Sequence, residues 1–170
     1  GLAPAEEGAH STIPPRRVGG NMDLRDIAAG AQILLPVECE GGLFSAGDTH
    51  AAQGDGEICG TAIESPLNGV FKFELMKNAA PESPIIITNE PSSAHKEDKG
   101  YWITTGIGPD IWEAIKSSAK QMIDLLTREQ KLSPTDAYML ISVCADLRIS
   151  QIVDAPNWTI SLYFPRSVFE

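Results

Sequence analysis

An acidic, glycine-rich segment between residues 38 and 64 carries the residue types best suited to chemistry. Like charges a few ångströms apart raise one another's pKa unless a cation or a shared proton relieves the repulsion. The interleaved glycines permit tight turns that direct short side chains inward. We therefore expect a metal site or a catalytic proton network here, and the alternative is a solvated acidic loop. The candidate groups are Glu38, Glu40, Asp48, His50, Asp55, Glu57 and Glu64.

Two pairs in this segment have a spacing that favours joint action. Asp48 and His50 are two residues apart, as are Asp55 and Glu57, so each pair lies on one side of an extended backbone. His50 offers a nitrogen ligand and Asp48 an oxygen ligand. Such a mixed set suits a divalent metal, with Zn²⁺ as the first expectation and Ca²⁺ or another divalent ion as alternatives.

A second polar cluster follows a Pro-Pro and Gly-Gly stretch near residue 20. Here the rigid prolines and flexible glycines indicate that Asn21 is delivered as a hydrogen-bond donor to a carbonyl or oxyanion, and Asp23 as an additional acid or metal ligand. The alternative is that Asn21 simply starts a helix over residues 22–29.

Other known site motifs fit poorly. Ser45 lacks the spacing of a nucleophile elbow, because Gly42 stands one residue too early. Cys59 is predicted to be a packed strand residue rather than a nucleophile. An EF-hand loop counted from Gln53 would need glycine where Ile58 stands. No standard nucleophile motif or calcium-binding loop is therefore a better candidate site than the acidic segment.

The elements that must position these residues follow from hydrophobic spacing. Short apolar runs separated by turn residues predict a β-rich core. The clearest run is 70–76, where Phe71 and Phe73 alternate with Lys72 and Glu74. The predicted strands are 33–37, 43–46, 58–63, 70–76, 85–88, 101–105, 149–153 and 158–163.

Two helices are predicted between these strands. Apolar residues recur every three or four positions from Ile111 to Leu126, which indicates a helix over 109–129. Ser133, Pro134 and Asp136 supply a capping hydroxyl, a first-position proline and a third-position acid, so a second helix runs over 134–144.

The predicted fold is a mixed, β-rich α/β single domain spanning residues 1–170. It has a β-sheet core or sandwich with a two-helix insertion near residues 109–145. Residues 1–22 are expected to form an extended leading segment, because of their prolines and glycines. The charged stretch 90–99 is expected to be an exposed loop.

Charge and composition exclude several partner classes. The net charge of -10 and a pI near 4.7 argue against nucleic acid and against an anionic membrane surface. No stretch approaches the length of a membrane span. Three widely spaced cysteines predict no disulfide framework, so a cytoplasmic location is expected.

Six stretches carry a family resemblance. They are IPPR at 13–16, GGNMD at 19–23, LPVE at 35–38, GDTHAAQGDGE at 47–57, DLRISQIVD at 146–154 and PR at 165–166. In these stretches the chain resembles the acetamidase/formamidase family. The resemblance implies a β-rich α/β fold, a divalent metal, and hydrolysis of formamide or acetamide to a carboxylate and ammonia. Members of the family are longer, and the matching residues lie in their later part.

The residues and the resemblance together suggest roles and partners. We expect Asp48, His50 and Asp23 to hold the metal, Asp55 or Glu57 to transfer protons, and Asn21 to stabilise the oxyanion. The expected partners are a small amide substrate, the amino-terminal half of the enzyme as a separate or cleaved chain, and further copies in a homo-oligomer. Two alternatives remain: a non-catalytic metal- or amide-binding module, and a structural half of a heteromeric or processed amidase.

Overall fold

The computed structural model describes residues 1–89 and 99–169, whose central feature is a five-stranded antiparallel sheet. In chain order the elements are β1 Gln32–Leu34, β2 His50–Ala52, β3 Ile63–Glu64, β4 Ile85–Ile87, β5 Tyr101–Gly108, α1 Ile111–Gln130, α2 Pro134–Cys144, β6 Asp146–Gln151, β7 Trp158–Pro165 and a short 3-10 turn, Arg166–Val168. The sheet order is β1-β4-β5-β7-β6, while β2 and β3 form a separate antiparallel pair.

Both faces of the large sheet are covered, because its side chains alternate. On β7, Leu162 and Phe164 face the helices α1 and α2, where they join a core that contains the fully buried Met122. Tyr163, between them, belongs to a second cluster on the opposite face with Leu24 from the leading part of the chain. Residues before β1 therefore cover the face that the helices do not.

Local signals set the helix ends. The Asp110 side chain caps α1 by accepting from the Glu113 N–H, and Lys131 ends α1 in the left-handed conformation. Ser133 caps α2 in the same way through the Asp136 N–H, with Pro134 at the first position. Both helix predictions are confirmed within one or two residues.

A glycine lets α1 lie directly against the sheet. A Cβ atom at Gly106 on β5 would stand 1.8 Å from the Ala114 carbonyl oxygen. No side chain fits there, so the backbones of α1 and β5 touch at this point.

The mixed, β-rich α/β prediction is confirmed, and so is the helical pair near 109–145. Five predicted strands, at 33–37, 85–88, 101–105, 149–153 and 158–163, appear with shifted ends as β1, β4, β5, β6 and β7. The predicted loop 90–99 lies almost entirely outside the described residues. Residues 1–31 contain no helix or strand.

Three predicted strands and one alternative helix are wrong. Residues 43–46 begin at Leu43, whose φ of 48° is left-handed rather than extended. The 58–63 run starts in a turn closed by the Gly60 N–H and the Glu57 carbonyl, and only Ile63 enters a strand. Residues 70–76 have no partner strand among residues 1–89 and 99–169. Asn21 begins no helix, because residues 22–29 contain none.

Within residues 1–89 and 99–169, no helix combines the length and the apolar character needed to cross a membrane.

Candidate active site

The pairing of β2 with β3 builds the first cluster of the site. His50 stands directly opposite Glu64 in this pair, so its Nε2 atom lies 3.1 Å from Glu64 Oε2. Asp48 brings its Oδ1 atom to 3.2 Å from the same nitrogen. One ligand atom from each of the three residues lies within 4.8 Å of the others, and these residues could together hold a metal ion.

A glutamine fixes the orientation of the histidine ring. Gln53 Nε2 donates to the Asp23 carbonyl at 2.5 Å, so its Oε1 atom accepts from His50 Nδ1 at 2.9 Å. With the proton on Nδ1, the Nε2 atom of a neutral ring presents a lone pair to two carboxylates. That arrangement needs a further proton or a cation between the three groups.

The polar groups around His50 favour the protonated form of its ring. The hydrogen bond to Gln53, followed by the charges of Glu64 and Asp48, raises the pKa of His50 above its ordinary value, against the opposing effect of burial. The Thr61 hydroxyl donates to Glu64 Oε1 and lowers the pKa of Glu64. Glu64 therefore stays ionised and attracts a cation.

Three further acids form a second cluster. Burial, and then contact with the carboxyls of Asp154 and Glu57, raises the pKa of Asp23 to about 8. Glu57 is buried, whereas Asp23 and Asp154 are half-buried. At neutral pH this cluster therefore holds a proton on Asp23, which can donate to a neighbouring carboxylate.

Asn21 connects this cluster to the leading part of the chain. Its Nδ2 atom donates to Asp154 Oδ2 at 2.7 Å and to the Ile13 carbonyl at 2.6 Å. Both amide hydrogens are thus used within the protein. In this conformation Asn21 has no hydrogen left for a substrate oxyanion.

Unusual backbone conformations concentrate at the site. Asn21, Asp23, Asp48 and Glu57 all have positive φ, between 43° and 58°. Residues with side chains rarely adopt this region, and where they do the surrounding contacts must hold them there. Four residues selected from the sequence for their chemistry are therefore also held in costly conformations.

The two spacing predictions have different outcomes. Asp48 and His50 do face each other, although Asp48 turns with a φ of 58° rather than staying extended. Asp55 and Glu57 have separate partners, because Gly56 and Glu57 both adopt positive φ and turn the chain. Asp55 forms an ion pair with Arg25 at 3.2 Å.

An open cleft lies beside both clusters. It has a volume of about 580 Å³, and its lining includes Gln53, Asp55, Glu57 and Thr61. Gln53 touches His50 and Glu57 belongs to the second cluster, so a small molecule in the cleft would lie close to both. The volume is ample for an amide of a few atoms.

The structure brings Asp48 and His50 together with Glu64, and Asp23 is not part of that group. Asp23 as a metal ligand stays a prediction. The sequence predicted Glu64 only as one of seven candidate groups. Its place opposite His50 depends on the register of β2 and β3, which residue spacing does not predict. Gln53, Arg25 and Asp154 were also missed as site residues. Asp154 did stand in one of the family-like stretches, which was the available signal.

Several known proteins are similar to this chain. A formamidase of Methylophilus methylotrophus is 32% identical over 181 residues, covering 98% of this chain and 43% of the relative. An acetamidase of Mycolicibacterium smegmatis is 52% identical over 62 residues, covering 35% of this chain and 15% of the relative. The crystal structure of an acetamidase from Bacillus halodurans superposes with a TM-score of 0.81 at 30% identity, covering 99% of this chain and 53% of that one.

The model of the Acetamidase/Formamidase family matches residues 2–170. The chain therefore belongs to the acetamidase/formamidase family. It spans about half the length of the formamidase and of the solved acetamidase that it matches over nearly its whole length.

Proposed function

We propose that the protein hydrolyses a short amide of the formamide or acetamide type, releasing ammonia and a carboxylate. The family and the names of its relatives support this reaction. The observation that carries the proposal is His50 Nε2, held within 3.2 Å of two carboxylate oxygens beside the cleft. Because the chain covers about half of these relatives, the activity is proposed for the protein together with the remainder of the family fold.

A divalent ion fits the cluster of Asp48, His50 and Glu64. The donors are one imidazole nitrogen and two carboxylate oxygens, and the Gln53 hydrogen bond at Nδ1 leaves Nε2 free to act as a ligand. This set favours Zn²⁺ over Ca²⁺, which prefers oxygen ligands throughout. Such an ion supplies Lewis-acid polarisation of the amide carbonyl and a lowered pKa for the attacking water.

Glu57 is proposed as the proton-transfer group. It lines the cleft, and its carboxyl contacts Asp23, which holds a proton at neutral pH. Glu57 would take a proton from the attacking water and return it to the amide nitrogen, since ammonia cannot leave as an anion. Asp55 is the alternative base, but its ion pair with Arg25 favours Glu57 for this role.

Asn21 is proposed as a positioning residue. Its two hydrogen bonds join the Ile13 carbonyl to Asp154, and Asp154 in turn contacts Asp23. The earlier expectation was a direct contact with the oxyanion. Holding the second acidic cluster in place agrees better with how its amide hydrogens are used.

A second candidate function is that of a structural half of a two-part amidase. The side chains of Asp48 and Glu64 are 59% and 53% exposed, so the cluster is open to solvent on their side. A site of this kind would be closed by the amino-terminal half, as a separate or cleaved chain. A cytoplasmic location and a homo-oligomeric state stay predictions.

Metal analysis combined with an ammonia assay on formamide and acetamide tests the proposal. His50→Ala should lose the bound metal and release ammonia at least about 10²-fold more slowly, because a ligand is removed. The matched control is His10→Ala, since the hydrogen bond and the ion pair of His10 both go to Glu6 and involve neither acidic cluster.

The outcomes separate the candidates. Ammonia release that survives removal of metal, or that His50→Ala leaves unchanged, would reject the proposed mechanism. A chain that binds metal yet releases ammonia only after the amino-terminal half is added would establish the structural-half function instead.

A further inference from the structure

A stretch directly after the first cluster is exposed along its whole length. Residues 66–80, called here the exposed segment, contain no buried residue and no regular element. Its apolar side chains are unusually open: Val70 is 101% exposed, Leu75 74% and Phe73 67%. A contiguous apolar surface of this kind on a folded protein marks an interaction site.

The exposed segment already has the two sides of a strand. Phe71 and Phe73 both place their rings edge-on against Phe44, with centroids 5.2 and 4.9 Å away. Lys72 and Glu74 point elsewhere and form an ion pair at 2.6 Å. Apolar and charged side chains therefore alternate in space as they do in the sequence.

The backbone of this segment lacks the partner that such an alternation requires. Within the described residues, no N–H or carbonyl group of 66–75 forms a backbone hydrogen bond. An extended run with unpaired backbone groups is a template for a further strand. The sequence pattern and the geometry thus agree on a strand, and only its neighbour is missing.

We infer that residues 70–76 pair as a β-strand with the part of the family fold that this chain does not cover. The relatives are about twice as long, while this chain matches over 98–99% of its own length. Residues 66–80 contribute no side chain to either buried cluster of the core. The exposed segment offers both an apolar face and free backbone groups.

The location gives this contact a functional consequence, which rests on the proposed function. The exposed segment begins two residues after Glu64, and the intervening Ser65 is bonded to Thr49 through its N–H at 2.9 Å and its carbonyl at 2.5 Å. A strand docked on 70–76 would therefore hold the segment that leads out of the β2–β3 pair, which carries His50 and Glu64. The amide site would then stand at the boundary between the two parts.

Co-expression with amide hydrogen exchange tests the inference. The 170-residue chain is produced together with the portion of the Methylophilus methylotrophus formamidase that it does not match. We expect a complex in which the amides of 70–76 exchange about tenfold more slowly than in the chain alone, while α1 is unchanged. The double variant Phe71→Ser/Phe73→Ser should weaken the complex about tenfold or more.

The matched control is Lys72→Ser/Glu74→Ser, which alters the opposite side of the same segment and should bind normally. All four side chains are exposed, so the variants keep the fold. Failure to form a complex overturns the inference, as does a complex without slowed exchange at 70–76. Slowing that grows with concentration of the chain alone would assign the segment to a second copy instead. None of these readouts depends on ammonia release or metal content.

Discussion

The molecule contains two regions that differ in burial, residues 101–165 and residues 43–80. The first region places Ile103, Met122 and Phe164 in fully buried positions between the sheet and the helices. In the second region, all of which is described, the only buried residues are Gly56 and Glu57. Stability is thus concentrated in one region and the candidate chemistry in the other. The site-bearing region depends on contacts made by distant residues such as Arg25 and Asp154.

The largest expected difference is in the free energy of unfolding, when a phenylalanine is replaced by alanine once in each region. Phe164→Ala removes a fully buried ring and should lower the free energy of unfolding by about 3–5 kcal/mol. Phe73→Ala removes an exposed ring and should cost less than about 0.5 kcal/mol. Urea denaturation of both variants measures this, and similar losses would mean that the two regions share one core.

A substitution in the second region should damage activity without damaging the fold. Glu57→Gln should keep the bound metal and slow ammonia release on the order of 10²-fold or more, because a carboxamide cannot accept the proton from water. The control is Glu40→Gln, an exposed acid of the same segment. Unchanged turnover in Glu57→Gln would refute the proton-transfer role.

The pH dependence of stability should trace to Asp23. Its pKa is raised to about 8 in the folded protein, so between pH 4 and 8 the folded state binds more protons than the unfolded chain. Stability from this group is therefore fully present below about pH 4 and is lost as the pH rises towards 8. The loss is on the order of 1–2 kcal/mol after allowing for solvent screening.

Asp23→Asn should remove most of that slope, since an amide does not titrate. Urea midpoints measured at pH 5, 6, 7 and 8 for both proteins provide the comparison. An unchanged slope in the variant would place the titrating group elsewhere.

The smallest expected effect tests whether the regions are independent. Ser133→Ala removes the cap of α2 and should lower stability by about 1 kcal/mol while leaving metal content and ammonia release unchanged. Ser142→Ala, at an exposed position in the last turn of the same helix, is the control and should be neutral or slightly stabilising. A loss of activity in Ser133→Ala would show that the helical pair supports the site.

The sequence predicted features with local causes. The cap at Ser133 and the apolar spacing of α1 depend on residues within one or two turns, so both helices were found. The alternation of residues 70–76 is also local and is real in space, but a strand exists only when a second strand pairs with it. That partner is not among the described residues, so the prediction of a strand was wrong for this chain.

The candidate site was also predictable only where its contacts join residues close in sequence. Asp48 and His50 were found together because two residues separate them. Glu64 joins them through the pairing of β2 with β3, and Asp154 reaches Asn21 across 133 positions. Contacts of that length depend on the whole fold. Periodicity and spacing along the sequence carry no information about them.

The hydrogen bond between Asn21 and Asp154 has a consequence during synthesis. A ribosome adds about 5–20 residues each second, so the separation of 133 positions corresponds to roughly 7 to 27 seconds of translation. Asn157 also donates to the Pro15 carbonyl, across a similar separation. Throughout that interval the nascent chain carries Asn21 and Asp23 without Asp154. The acidic cluster is therefore among the last features to assemble, after α1 and α2 have left the ribosome.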